Sequence, residues 1–106
     1  MSENIKQYDS YGWVHVLKFD DGDPIDLTNV KTVIAVATLD GDDERTIEKE
    51  CSVLNAENGY INLALTADDT NVAGMYRMSF KCTFIGNTVL TVPSTGNLWL
   101  HIEESL

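Results

Sequence analysis

The run Met75 to Ile85 sets the strongest constraint on what this chain can fold into. Tyr76, Met78, Phe80, Cys82 and Phe84 occupy one parity, and Met75, Arg77, Ser79, Lys81 and Thr83 the other. A strict period of two is the signature of a strand with one face buried and one face wet, and no helix can satisfy it. Weaker copies of the pattern recur along the chain, each bounded by turn residues, and no window shows helical periodicity. The chain is therefore expected to be all-β, and 106 residues suffice for one hydrophobic core.

Trp13 to Phe19 reads as a first strand with Trp13, His15, Leu17 and Phe19 on its apolar face, ended by the turn Asp20-Asp21-Gly22-Asp23-Pro24. Ile25 to Asn29 is an edge or connecting segment. Val30 to Leu39 is apolar on both faces, as a central strand packed on two sides should be. Asp40-Gly41-Asp42-Asp43 is a turn. Arg45 to Leu54 then alternates Ile47, Cys51 and Val53 with polar residues, broken by Lys49, and reads as one bent strand or two. Asn58-Gly59 is a strong turn signal, after which Ile61, Leu63 and Leu65 face the core and Tyr60, Asn62 and Ala64 face away. The polar crossover from Thr66 to Gly74 has room for a single helical turn capped by Thr66. Gly86-Asn87 has the composition of a tight hairpin. Pro93 interrupts the returning strand at an edge or bulge, and Leu98, Leu100 and Ile102 resume it.

The stretch Asp69-Thr70-Asn71-Val72-Ala73-Gly74-Met75-Tyr76 resembles the corner of immunoglobulin-like sandwiches, where a tyrosine hydroxyl bonds back to the crossover backbone. The resemblance implies an immunoglobulin-like antiparallel β-sandwich of about seven strands over residues 12–106, preceded by an arm at 1–11, with Asp69, Gly74 and Tyr76 as its structural corner. Met78 stands where many such domains carry a disulfide cysteine. The wider order of motifs is Asp23-Pro24-Ile25-Asp26-Leu27-Thr28, Asn58-Gly59, Leu65-Thr66-Ala67-Asp68-Asp69-Thr70, Ala73-Gly74-Met75-Tyr76 and Val92-Pro93-Ser94. That order, across roughly residues 12 to 103, is similar to the N-terminal immunoglobulin-like domain of phage upper baseplate (BppU-type) tail proteins. The resemblance implies a virion structural component of a tail baseplate, tail, neck or head, docked on other phage structural proteins and repeated as a homo-oligomer.

The remaining chemistry points the same way. A net charge of −10 with only seven Lys and Arg argues against nucleic acid and against anionic membranes. The N-terminus lacks the apolar stretch of a signal peptide, which implies cytoplasmic synthesis and free thiols at Cys51 and Cys82, although the two could pair. The acidic turns around residues 20–26 and 40–44 carry oxygen ligands but not calcium-loop spacing, and flank one strand at opposite ends. They read as solvated turns, with no metal or cofactor expected. His15 and His101 each lack a carboxylate or thiol at ligand spacing. No nucleophile motif or phosphate-binding glycine loop is present, so no enzyme is expected. Tyr60 and Trp99 fall on outward parities and are the candidate contact residues, unless a loop or the N-terminal arm covers them. A carbohydrate-binding or adhesion domain using those aromatics and the loop carboxylates is the alternative function.

Overall fold

The computed structural model describes residues 2–19, 21–93 and 98–104, so Asp20 and the Ser94-Thr95-Gly96 stretch lie outside the described residues, as do the side chains of 2, 3 and 42–45. The eight strands among the described residues are β1 (Ser2–Lys6), β2 (Tyr11–Val16), β3 (Val30–Leu39), β4 (Asp42–Asn55), β5 (Tyr60–Leu65), β6 (Gly74–Phe84), β7 (Val89–Val92) and β8 (Leu98–Glu103). Their order is β1-β8-β6-β3-β4-β5-β2, with β7 also pairing β6. β2, β5 and the end of β4 make one layer, and the other strands with the start of β4 make the second.

The long β4 is what joins the layers. Its residues Ile47 to Cys51 pair with β3, whereas Ser52 to Asn55 pair with β5 across a bulge between Val53 and Asn55. The segment at 45–54 is thus one strand, bent so that it belongs to both sheets. β6 divides in the same economical way along its length. Gly74 to Met78 pair with β8, and Phe80 to Thr83 pair with β7, so β8 and β7 lie against successive lengths of β6.

Burial follows the parity of the sequence. Tyr76, Met78, Phe80 and Cys82 are buried from β6, Val33, Ala35 and Ala37 from β3, Leu98, Leu100 and Ile102 from β8, and Ile61, Leu63 and Leu65 from β5. Each large apolar side chain so enclosed contributes roughly 1.5–3 kcal/mol. The layers meet through rings as well, since His15 stacks on Phe80 at 5.3 Å and lies edge-on to Trp13. Cys51 and Cys82 are free and buried, and burial is the main cause that pushes each thiol up to about 11.

Two expectations change. Residues 2–6, set apart with the arm at 1–11, are a strand paired parallel to β8, which makes the sheet mixed and adds a strand to the expected seven or so. Ile5 is buried there, and Lys6 meets Glu103 at 3.0 Å. β2 also ends at Val16, before Phe19, because the chain folds back on itself. The Ile25 amide donates to the Leu17 carbonyl and the Phe19 amide to Asp23, leaving Phe19 exposed while Ile25 and Leu27 are buried. The connecting segment therefore closes one end of the core.

Gly59 is the point at which that closure is tightest. It has φ +74, and a Cβ there would lie 2.7 Å from the Leu17 carbonyl oxygen and 2.9 Å from that of Ile25. Neither oxygen can withdraw without breaking the fold-back. Gly59→Ala is expected to lower stability by about 2 kcal/mol or more, from strain plus the clash, in urea unfolding. Gly22→Ala is the control, since Gly22 also has positive φ but no atom within 4 Å of its Cβ position, and should cost about 1 kcal/mol.

Candidate docking surface and the corner behind it

β5 leaves its sheet at Leu65, and the chain must cross to β6 in the opposite layer. The crossing begins with a single hydrogen-bonded turn in which Thr66 and Asp69 cap each other. The Asp69 carboxylate accepts from the Thr66 amide at 2.8 Å and from its hydroxyl at 3.0 Å. Lys49 reaches the same carboxylate at 2.9 Å. This accounts for the lysine that breaks the alternation of β4: it pairs with Ala35 on the inward parity and extends its stem to place the ammonium at the corner.

Further along, the fully buried Thr70 donates its hydroxyl to the Asp9 carbonyl at 2.9 Å, and the Tyr8 amide donates to the Thr70 carbonyl at 3.1 Å. The Gln7 side-chain amide donates to the Asn71 carbonyl at 2.8 Å. The link from β1 to β2 is thus tied down onto the crossover. The Tyr76 hydroxyl, inside the core, donates to the Val72 carbonyl at 2.8 Å. Gly74 completes the corner with φ +147, where a Cβ would strike the Leu39 side chain. Asp69, Gly74 and Tyr76 therefore stand in one stretch, and Thr70, Lys49 and residues 7–9 join them. Thr70 is the member that parity could not single out, because its burial depends on a carbonyl 61 residues away.

The contact candidates are not brought together. Trp99 is half-buried on β8, opposite Ser2 of β1 and Arg77 of β6, while Tyr60 is 42% exposed on β5. β6, β3 and β4 separate them in the sheet order. Around Tyr60 lies a surface of another kind. Its outward neighbours are positions 12, 14 and 16 of β2, 62 and 64 of β5, and 52 and 55 of β4, by register. None of these carries a charge. Val14 is 61% exposed, and Leu54, at the bulge, 56%.

An open cleft of about 320 Å³ lies between Ile5, Lys6, Asp9, Tyr11 and Glu103. Among the described residues no cluster of three metal-ligating side chains occurs. Two carboxylates outside the corner have partners of their own: the Asp26 carboxyl is held below its ordinary value by the Thr28 hydroxyl and amide, and Glu103 by Lys6.

Comparison with known proteins places this architecture. The family model described as BppU N-terminal domain matches residues 5–105. Among solved structures, the chain is similar to the N-terminal domain of phage TP901-1 ORF48, with TM-score 0.62 and 14% identity over 94% of this chain and 82% of that one, a likeness of fold. No curated protein matches.

Two measurements test the corner. Tyr76→Phe leaves the buried packing but strands the Val72 carbonyl, and should lower stability by about 1–2 kcal/mol in denaturant unfolding. For Asp69, burial pushes the carboxyl up, but the Thr66 hydrogen bonds and Lys49 together hold it below the ordinary 3.8. A depressed carboxylate stabilises the fold above its unfolded value, and that stabilisation is lost as pH falls through the folded one. The melting midpoint should therefore fall as pH drops below about 4, and Asp69→Asn should flatten that dependence.

Proposed function

The chain belongs to the BppU N-terminal domain family, and on that premise we propose that it is a structural module of a phage particle, fixed in the tail or baseplate by docking on another virion protein. The match across residues 5–105 carries this reading, because it spans every strand but the first few residues of β1. The structure supports it physically. The corner ties the β1–β2 link to the β5–β6 crossover, and the uncharged outer face around Tyr60 has the charge depletion of an interface centre. No catalytic role is assigned. Copies of the module repeat with the symmetry of the particle, held through the docking partner. Synthesis in the host cytoplasm followed by incorporation into the virion completes the reading.

The carbohydrate alternative needs a platform of aromatic side chains. Tyr60 and Trp99 have three strands between them, so they do not make one together. Quantitative mass spectrometry of particles purified from the encoding phage is expected to find this chain in multiple copies, co-sedimenting with tail proteins. Its absence from particles, with all of it in the soluble lysate, would overturn the proposal. Glycan binding abolished by Tyr60→Ala or Trp99→Ala would favour the alternative.

A further inference from the structure

β2 ends the strand order, and among the described residues it pairs only with β5. The Leu17 amide donates to the Gly59 carbonyl, which extends the β2–β5 register by one pair. By the alternation of an antiparallel ladder, residues 11, 13, 15 and 17 turn their amides and carbonyls toward β5, and Gly12, Val14 and Val16 turn theirs to the open edge. This edge also lacks the usual guards. Tyr11-Gly12-Trp13-Val14-His15-Val16 holds no Lys, Arg, Asp, Glu or Pro, whereas the opposite edge, β1, carries Lys6.

We propose that the β2 edge, with the uncharged face around Val14 and Tyr60, is where a partner protein docks by adding an extended strand with apolar residues at alternate positions and Lys or Arg on its flanks. The proposal rests on the docking role given above and names its surface. Main-chain hydrogen bonds from Gly12, Val14 and Val16 would supply the register, and Val14 and Tyr60 the apolar contact. Charge selects the occupant. Asp9 lies exposed beyond one end of β2, and Asp21, Asp23 and Asp26 lie exposed beyond the other, outnumbering Lys18. A second copy is the wrong occupant. Pairing β2 with itself about a two-fold axis at Val14 would set the Asp9 end of one strand against the Asp21 and Asp23 end of the other, and would bring together two chains of charge −10.

The test uses the full chain, isotopically labelled, and a synthetic peptide of alternating Val and Thr with paired lysines at each end. Binding should slow amide exchange at Gly12, Val14 and Val16 while leaving Trp13 and His15, already bonded to β5, unchanged. The same peptide flanked by glutamates should bind at least about tenfold more weakly. Val14→Pro removes one edge donor without touching the β2–β5 ladder, and should weaken binding at least about tenfold at nearly unchanged melting temperature. Val14→Lys, whose side chain points to solvent, gives the same loss if the proline variant unfolds. Equal binding by wild type and both folded variants, protection located elsewhere, or no binding at all would overturn the proposal. So would a wild-type dimer whose concentration-dependent protection falls on those three amides. Each result is independent of whether the chain is found in particles, so a failed edge and a failed virion assignment are told apart.

Discussion

The structure depends on satisfying the backbone where the chain changes sheets. Three connections cross between the layers: residues 7–10, 17–29 and 66–73. Each leaves a ladder whose amides and carbonyls must find new partners or cost free energy in proportion to their burial. The first and third crossings lie at the same end and meet this demand for each other, through Tyr8 to Thr70, Thr70 to Asp9 and Gln7 to Asn71. The second is served at the other end by Gly59 and Ala56, whose carbonyls accept from Leu17 and Leu27. β4 makes the transition without leaving the ladder at all, by bending at its bulge. The corner at Tyr76 is thus one part of a larger joint that includes the N-terminal strand's exit.

What was legible in the sequence, and what was not, divides along the range of the interactions. β6 could be read because parity is a local property and its inward positions are buried from Tyr76 to Cys82, with Phe84 half-buried at the end. Gly59 could be read because positive φ at a turn has a local residue preference. Tyr76 stood out with the residues before it, and its acceptor Val72 lies four residues back. β1 has no readable parity, since Ser2 to Lys6 contains a single large apolar residue, and its place is set by β8 and by the Lys6 to Glu103 ion pair. Lys49 looked like a fault in the pattern because its partner, Asp69, is brought near only by the bend of β4. The early end of β2 was hidden for a similar reason: Phe19 fits the alternation, but the bond from Ile25 to Leu17 turns the chain first. As for the surface, Tyr60 and Trp99 could be assigned outward parity, but their separation follows from strand order, which parity does not encode.

The joint also explains why an uncharged face can exist on so acidic a chain. With the layers fixed to one another at both ends, the outer side of β2 and β5 bears no structural duty, so its composition reflects contact with something else or with water alone. Water alone would tolerate charge there, as it does on β6, where Arg77 and Lys81 occupy outward positions. Exposed aspartates instead flank β2, Asp9 before it and Asp21, Asp23 and Asp26 after it, while Gly12, Val14 and Val16 between them stay neutral.

An open, neutral edge strand is ordinarily a hazard, since any extended chain can pair with it. The charge pattern limits that hazard in one direction only. Repulsion between chains of charge −10 slows the approach of a second copy, and at physiological salt it acts over about 8 Å, a distance that matters when two strand edges come within pairing range. A basic strand meets the opposite potential, so the carboxylates that hinder self-pairing assist its encounter and fix its ends. Neutral strand and acidic flanks therefore act as one device: the edge supplies affinity without the desolvation cost of buried charge, and the flanks decide which chains come near enough to use it.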